Sequence, residues 1–231
     1  MRAPAPGIAE PRWTECFGDD GFRRVAVARI RAAADAAIAA RGRFLLVLAG
    51  GDTPKALYED LAAQRCDWQH WRLFLSDERC LPDGDPARNE TMVRHTWLDP
   101  AGIAADRLTA PHGTDATAAA LGYARAIEAI GPFDLVLLGV GEDGHTASLF
   151  PGLPPGDSDN APAALPVHDA PKPPPERVTL STRRLCEAHH VLFMAKGAGK
   201  RVALDRWRAG EPLPAARIGG RISTAILWTH S

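Results

Sequence analysis

The sequence predicts an α/β fold with a mainly parallel sheet and helices on both faces. Three observations carry this. Phe44-Leu-Leu-Val-Leu48 is a short continuous apolar run and Phe133–Leu138 is apolar but for Asp134, the pattern of strands buried on both faces. Segments of helical spacing stand between such runs, so strands and helices alternate along the chain. The 231 residues, 45% hydrophobic and 24% charged, suffice for one sizeable core, and a single domain over 1–231 is expected.

The elements follow in order. Gly21–Ala40 places Val25, Ala28, Ile30, Ala34 and Ile38 at helical spacing, and Gly42 ends that helix. The Phe44–Leu48 strand comes next, then a helix over Pro54–Ala63. Trp71–Leu75 reads as a strand, 87–97 as a helix and 115–130 as an alanine-rich helix. Phe133–Leu138 is the clearest buried strand. Val178–Leu180 and Val191–Met194 are shorter strands, 199–208 is helical, and Ala225–Trp228 closes the sheet. Gly152–Pro175 breaks the rhythm. Its prolines and scarce large apolar residues exclude a core element, and it reads as a long loop inside one domain.

Composition narrows the function. With 27 basic and 28 acidic side chains, a formal charge of -1 and a pI of about 6.7, the chain has no overall footprint for nucleic acid or an acidic membrane surface. A small basic pocket for a small anion is compatible with that balance. Cys16, Cys66, Cys80 and Cys186 are far apart and form no CxxC pair, so reduced cytosolic thiols are expected. The N-terminus has no apolar h-region, and no run is long enough to span a bilayer. A cytoplasmic protein is expected.

Three motifs directly follow three predicted strands. In an open parallel sheet, ligands bind outside the carboxyl ends of the strands, so the three converge on one edge. The first is Ala49-Gly50-Gly51-Asp52-Thr53-Pro54-Lys55. Its glycines permit close ligand approach, Thr53 suits an N-cap, and Pro54 suits the first helical position. Free N–H groups there make an anion site, which would also resolve the placing of Lys55 in a first turn. A plain strand-to-helix turn explains the same glycines. The second is Ser76-Asp77-Glu78-Arg79, fit to position a substrate, to bind a metal, or simply to be a solvated loop; Asn89 follows.

The third is Gly139-Val140-Gly141-Glu142-Asp143-Gly144-His145-Thr146-Ala147-Ser148. It contains GxGxxG, but it lies late in the chain with a proline-rich loop close behind, a poor context for a dinucleotide. His145 beside Asp143 is more informative, because an imidazole near a carboxylate suits general-base work near neutral pH. Arg177, Lys196 and Lys200 could complete an anion site. The Gly197-Ala198-Gly199 loop lacks the Walker A spacing, and His189-His190 reads as a strand start.

Together, LAGGDTPKALYEDL, WRLFLSDERCLP with Asn89, FDLVLLGVGEDGHTASLFPG, and PKPPPERVTL followed by KGAGK resemble the 6-phosphogluconolactonase family, part of the glucosamine-6-phosphate isomerase/deaminase superfamily. The resemblance implies a Rossmann-like three-layer sandwich with no cofactor and no metal. It implies hydrolysis of 6-phospho-D-glucono-1,5-lactone, a phosphorylated sugar lactone, in the oxidative pentose phosphate pathway, by a monomer or weak homodimer. By position, it makes His145 the general base and Asp143 the residue that orients it. Gly50, Gly51, Thr53, Arg177 and Lys200 become the phosphate site, and Asp77 and Arg79 orient the sugar. The related deaminases carry a glutamate in a Phe-Asn-Glu-Pro segment after the matching histidine, where this chain has Ser148-Leu149-Phe150-Pro151. The chain also departs from the family at Asp52, often a small polar residue, and at Arg88, often a serine.

Overall fold

The computed structural model describes residues 7–230. A seven-stranded sheet forms its centre, with strands β1 (Pro11–Glu15), β2 (Phe44–Leu48), β3 (Trp71–Leu75), β5 (Leu108–Thr109), β6 (Leu135–Gly139), β9 (His190–Lys196) and β10 (Ser223–Thr229). The order is β1-β10-β9-β6-β2-β3-β5, and every pairing is parallel. From β2 the chain builds outward to β3 and β5, then returns to the other side of β2 with β6, β9 and β10. The reversal between β2 and β6 opens a crevice at the carboxyl ends of the strands.

Strand alternation assigns two cores. Leu46, Leu48 and Leu137 face α1 (Gly18–Arg41) and α2 (Asp52–Ala62), while Val47, Val136 and Leu138 face α4 (Ala116–Ile127) and α6 (Arg201–Arg208). In α1 the buried stripe is Phe22, Ala26, Ile30, Ala34 and Ala37; the small residues let the helix lie close on the sheet. Val25 and Ile38 flank that stripe, and Ala28 faces water. Gly42 ends α1 as expected, in a left-handed conformation with its N–H on the Ile38 carbonyl.

The predicted strand over Val178–Leu180 exists as β8 (Arg177–Leu180) but lies outside the central sheet. It is the middle of a three-stranded antiparallel sheet, between β4 (Asp77–Arg79) and β7 (Ala164–Val167), that packs on α4. The cause lies at Ser76. Its N–H bonds Leu48 of β2 and its carbonyl accepts from Leu180, so the chain leaves the main sheet there and begins a second one. The proline-rich stretch is therefore not all loop: Ala164 and Val167 are buried, and Pro166 is tolerated because β7 is an edge strand. The helix expected over 87–97 starts at Asn89 as α3 (Asn89–Val93) and continues as a π-helical stretch over Arg94–Leu98. Gly199 and Lys200 form a 3-10 turn ahead of α6 rather than part of it.

Candidate active site

The three motifs meet at the crevice because β6, β2 and β3 are neighbours in the sheet. After β6 the chain turns tightly: the Gly141 N–H donates to the His145 carbonyl at 2.8 Å and the Gly144 N–H to the Gly141 carbonyl at 3.0 Å. Asp143 Oδ1 accepts from the His145 backbone N–H at 3.1 Å and faces His145 Nδ1 at 2.5 Å. Burial pushes the Asp143 carboxyl up, but the side-chain and backbone hydrogen bonds of His145 outweigh it and hold the carboxyl below its ordinary value. An ionised carboxylate only accepts, so Nδ1 carries the hydrogen and Nε2 is left as the free acceptor. The ring is held on its other side by Phe150, at 4.7 Å between centroids. Two residues on, Ala147 sits at φ 49, a left-handed conformation that a non-glycine adopts only where its surroundings enforce it.

Asp77 is buried at the crevice floor with both carboxylate oxygens engaged. Ser76 Oγ donates to Oδ1 at 3.0 Å and Ser148 Oγ to Oδ2 at 2.6 Å. The Arg177 Nη1 donates in turn to Ser148 Oγ at 3.4 Å. Asn89 Nδ2 donates to the Asp77 carbonyl at 2.9 Å, and the same amide lies over Gly50, where a Cβ would stand 2.1 Å from Oδ1. Gly50, Asn89, Asp77, Ser148 and Arg177 thus form one chain of contacts. Tyr58 fixes the start of the first motif by bonding both the N–H and the carbonyl of Ala49.

The basic side chains sort themselves by partner. Arg79 and Arg177 stand directly opposite each other in the β4–β8 ladder, where like charges repel. Arg79 reaches the Ala87 carbonyl, and its Nε is buried without a partner. Arg177 donates to the carbonyls of Lys172 (2.7 Å), Pro173 (3.2 Å) and Pro174 (3.0 Å), so the proline-rich segment is folded against the site. Burial lowers the Arg177 guanidinium; Asp77 works against that and the repulsion from Arg79 adds to it. Among the described residues, no carboxylate oxygen lies within 4 Å of it. Lys200 also has no ion-pair partner among them, whereas Lys196 is spent on Asp19 at 2.6 Å. The turn that bears Lys200 abuts the third motif, since a Cβ on Gly199 would meet Glu142 Oε1 at 2.8 Å.

The N-cap of α2 is Gly51, at φ 100, and not Thr53, which lies inside the first turn with no capping bond. The glycine's left-handed geometry starts the helix two residues early, at Asp52, where a carboxylate suits the helix dipole. Arg88 is buried and committed to the carbonyls of Leu81 and Pro111 and to Glu90. Asp83, Glu90 and His112 bring ligand atoms within 4.8 Å of one another, but Arg88 and Arg94 occupy both Glu90 oxygens, so the cluster reads as an ion-pair network.

Glu78 holds the second motif together. Its buried carboxylate accepts from the N–H groups of Arg79 (2.7 Å), Asn89 (2.8 Å) and Glu90 (2.8 Å), which fastens β4 to the start of α3. Burial raises its carboxyl, and those bonds together with Arg88 oppose the rise. Glu78→Ala leaves these donors orphaned beside a buried arginine and should cost about 3 kcal/mol of stability, read as a lowered urea midpoint with unchanged m. An unshifted midpoint would remove Glu78 from this structural role. Ser76, Ser148 and Phe150 were given no individual role by the sequence, because nothing local distinguishes them from loop residues, and Glu78, expected as one of three adjacent ionisable residues that could position a substrate or bind a metal, instead ties the motif to α3.

The family described as glucosamine-6-phosphate isomerases/6-phosphogluconolactonase matches residues 19–228. The chain belongs to this family. A 6-phosphogluconolactonase of Streptomyces coelicolor is 38% identical, covering 82% of this chain and 80% of its own. That of Rattus norvegicus is 35% identical over 99% and 92%. Among solved structures, the Thermotoga maritima 6-phosphogluconolactonase superposes with a TM-score of 0.87 at 29% identity, covering 96% of this chain and all of its own. A monomeric glucosamine-6-phosphate deaminase gives 0.76 at 19% identity and shares the fold. The family's fold is the one described above. Among the described residues, no helix is long and apolar enough to cross a membrane.

Proposed function

We propose that the chain is a cytoplasmic 6-phosphogluconolactonase that hydrolyses 6-phospho-D-glucono-1,5-lactone to 6-phospho-D-gluconate in the oxidative pentose phosphate pathway. The observation that carries this is the Asp143–His145 pair in a loop that Arg177 reaches at Ser148 and that the turn bearing Lys200 abuts, two basic groups that lack carboxylate partners among the described residues. The identities to named lactonases supply the reaction class.

In this reading, His145 Nε2 takes a proton from water as the water oxygen bonds to the lactone carbonyl carbon. The tetrahedral intermediate collapses with cleavage of the bond to the ring oxygen, which leaves with the proton returned by the imidazolium. Asp143 holds Nδ1–H and favours the imidazolium that forms. The phosphate sits on the first turn of α2, at Gly50, Gly51 and Thr53, with Lys200 and Arg177 supplying charge. Asp77 and Arg79 orient the sugar. The lactone is an activated ester, so this needs no metal.

The phenyl ring of Phe150 packs on His145, and no acid follows the histidine as in the deaminases, which favours the lactonase over ring opening. The test generates the lactone in situ with glucose-6-phosphate dehydrogenase and follows its loss above spontaneous hydrolysis. No acceleration, together with ammonia release from glucosamine 6-phosphate, would replace this reading with the deaminase.

Arg177→Ala and Lys200→Ala should each raise KM about tenfold or more with a smaller change in kcat, since each removes a charge-assisted contact present in both ground and transition states. Saturation curves on the phosphorylated lactone check this; an unchanged KM in both would displace the phosphate site.

A further inference from the structure

At the opposite, amino-terminal edge of the sheet lies a cavity of about 530 Å³. Leu45 and Phe74 form its floor, and three arginines surround it: Arg43, Arg72 and Arg107. Their placement follows from register. Leu45 pairs with Arg72 across β2–β3, and Leu73 pairs with Leu108 across β3–β5, which sets Arg72 beside Arg107, the last residue of the 3-10 turn that leads into β5. Arg43, just ahead of β2, lines the same cavity as Leu45 two residues on, and Arg72 and Phe74 share one face of β3. Three arginine side chains therefore border one cavity.

Their charges are poorly matched within the protein. Arg107 donates to the Gln69 carbonyl at 2.8 Å and approaches the exposed Asp106 at 3.8 Å. Arg43 and Arg72 have no hydrogen-bond or ion-pair partner among the described residues. Among the described residues, Asp106 is the only carboxylate lining the cavity; His70 at the rim is engaged by the Gly42 carbonyl at 2.8 Å and lies 3.4 Å from Asp67. Like charges gathered around one cavity repel, and an anion seated between them relieves that repulsion. A guanidinium fork matches phosphate oxygens, and the volume falls in the range of small-molecule sites.

We infer that this cavity is a second anion site, separate from the catalytic crevice, for a phosphorylated small molecule carrying two or more negative charges. Arg43 and Arg72 bind the anion, and Arg107 closes the third side.

Inorganic pyrophosphate is the probe, titrated by calorimetry at physiological ionic strength into the full chain, into the Arg43→Ala/Arg72→Ala double variant, and into Lys200→Ala. The last arm separates this site from the catalytic phosphate position. Both arginines are exposed and their loss leaves core packing intact, so the double variant should keep the wild-type Tm and lactone turnover. The expected result is pyrophosphate binding that weakens at least about tenfold in the double variant and persists in Lys200→Ala. Superimposable isotherms for the wild type and the double variant, binding lost only in Lys200→Ala, or no binding by the wild type would each overturn the assignment.

Discussion

Replacing His145 with alanine lowers kcat by about two to four powers of ten and leaves KM near its wild-type value. The size follows from what is lost. Nε2 is the group left free to take a proton, because Nδ1 is held at 2.5 Å from Asp143. The ring contacts Phe150 and Asp143, and the phosphate is proposed to be held by other residues, so ground-state binding survives its removal. Lactone loss, corrected for spontaneous hydrolysis, gives the measurement, and an unchanged kcat would remove His145 as the base. The pH behaviour sharpens the test. Asp143 is held below its ordinary value, so its ionised form contributes stability that is complete above the ordinary carboxylate range. That contribution is lost only as pH falls through the lower native value. A loss of activity nearer neutrality is therefore not the titration of Asp143.

Gly141→Ala should be nearly as damaging, by geometry alone. Gly141 does not have a positive φ, so alanine is acceptable to the backbone. The space is not: a Cβ would stand 2.0 Å from His145 Nδ1, 2.2 Å from Cε1 and 2.6 Å from Asp143 Oδ1. The imidazole and its carboxylate must both shift, and a displacement of about 1 Å at a reacting group costs on the order of a hundredfold in rate. We expect kcat to fall by about that factor with little change in Tm. Gly139→Ala is the control, since a Cβ there meets nothing within 4 Å. Equal activity of the two variants would show that the ring does not need its present position.

Much of the scaffold was legible because its signals are local. Phe44–Leu48 and Trp71–Leu75 match their strands residue for residue: β2 is buried and apolar throughout, and β3 is so at every position but the exposed Arg72. Gly42 announced its own left-handed cap. The antiparallel sheet was not legible. β4 is Asp-Glu-Arg, whose buried carboxylates are satisfied by Ser76, Ser148 and the backbone of α3, and polar residues satisfied at long range look like a solvated loop in sequence. β7 was masked by its proline, and β5, of two residues, is too short for any pattern. Thr53 misled because residue preference favours it as a cap, whereas a positive φ at Gly51 sets where α2 begins.

The sequence by itself determined the α/β class, the three loops that meet at the crevice, and the pairing of Asp143 with His145, because each depends on residues near in the chain. Tertiary structure alone decided the rest. It set Arg79 against Arg177, tied Asp77 to Ser148 across 71 positions of chain, spent Lys196 on Asp19 while leaving Lys200 without a carboxylate among the described residues, and gathered Arg43, Arg72 and Arg107 around one cavity. Charge and hydrogen-bond partnership fall off within a few ångströms, so which groups are free to meet a ligand is fixed by the strand order and register that bring distant residues together.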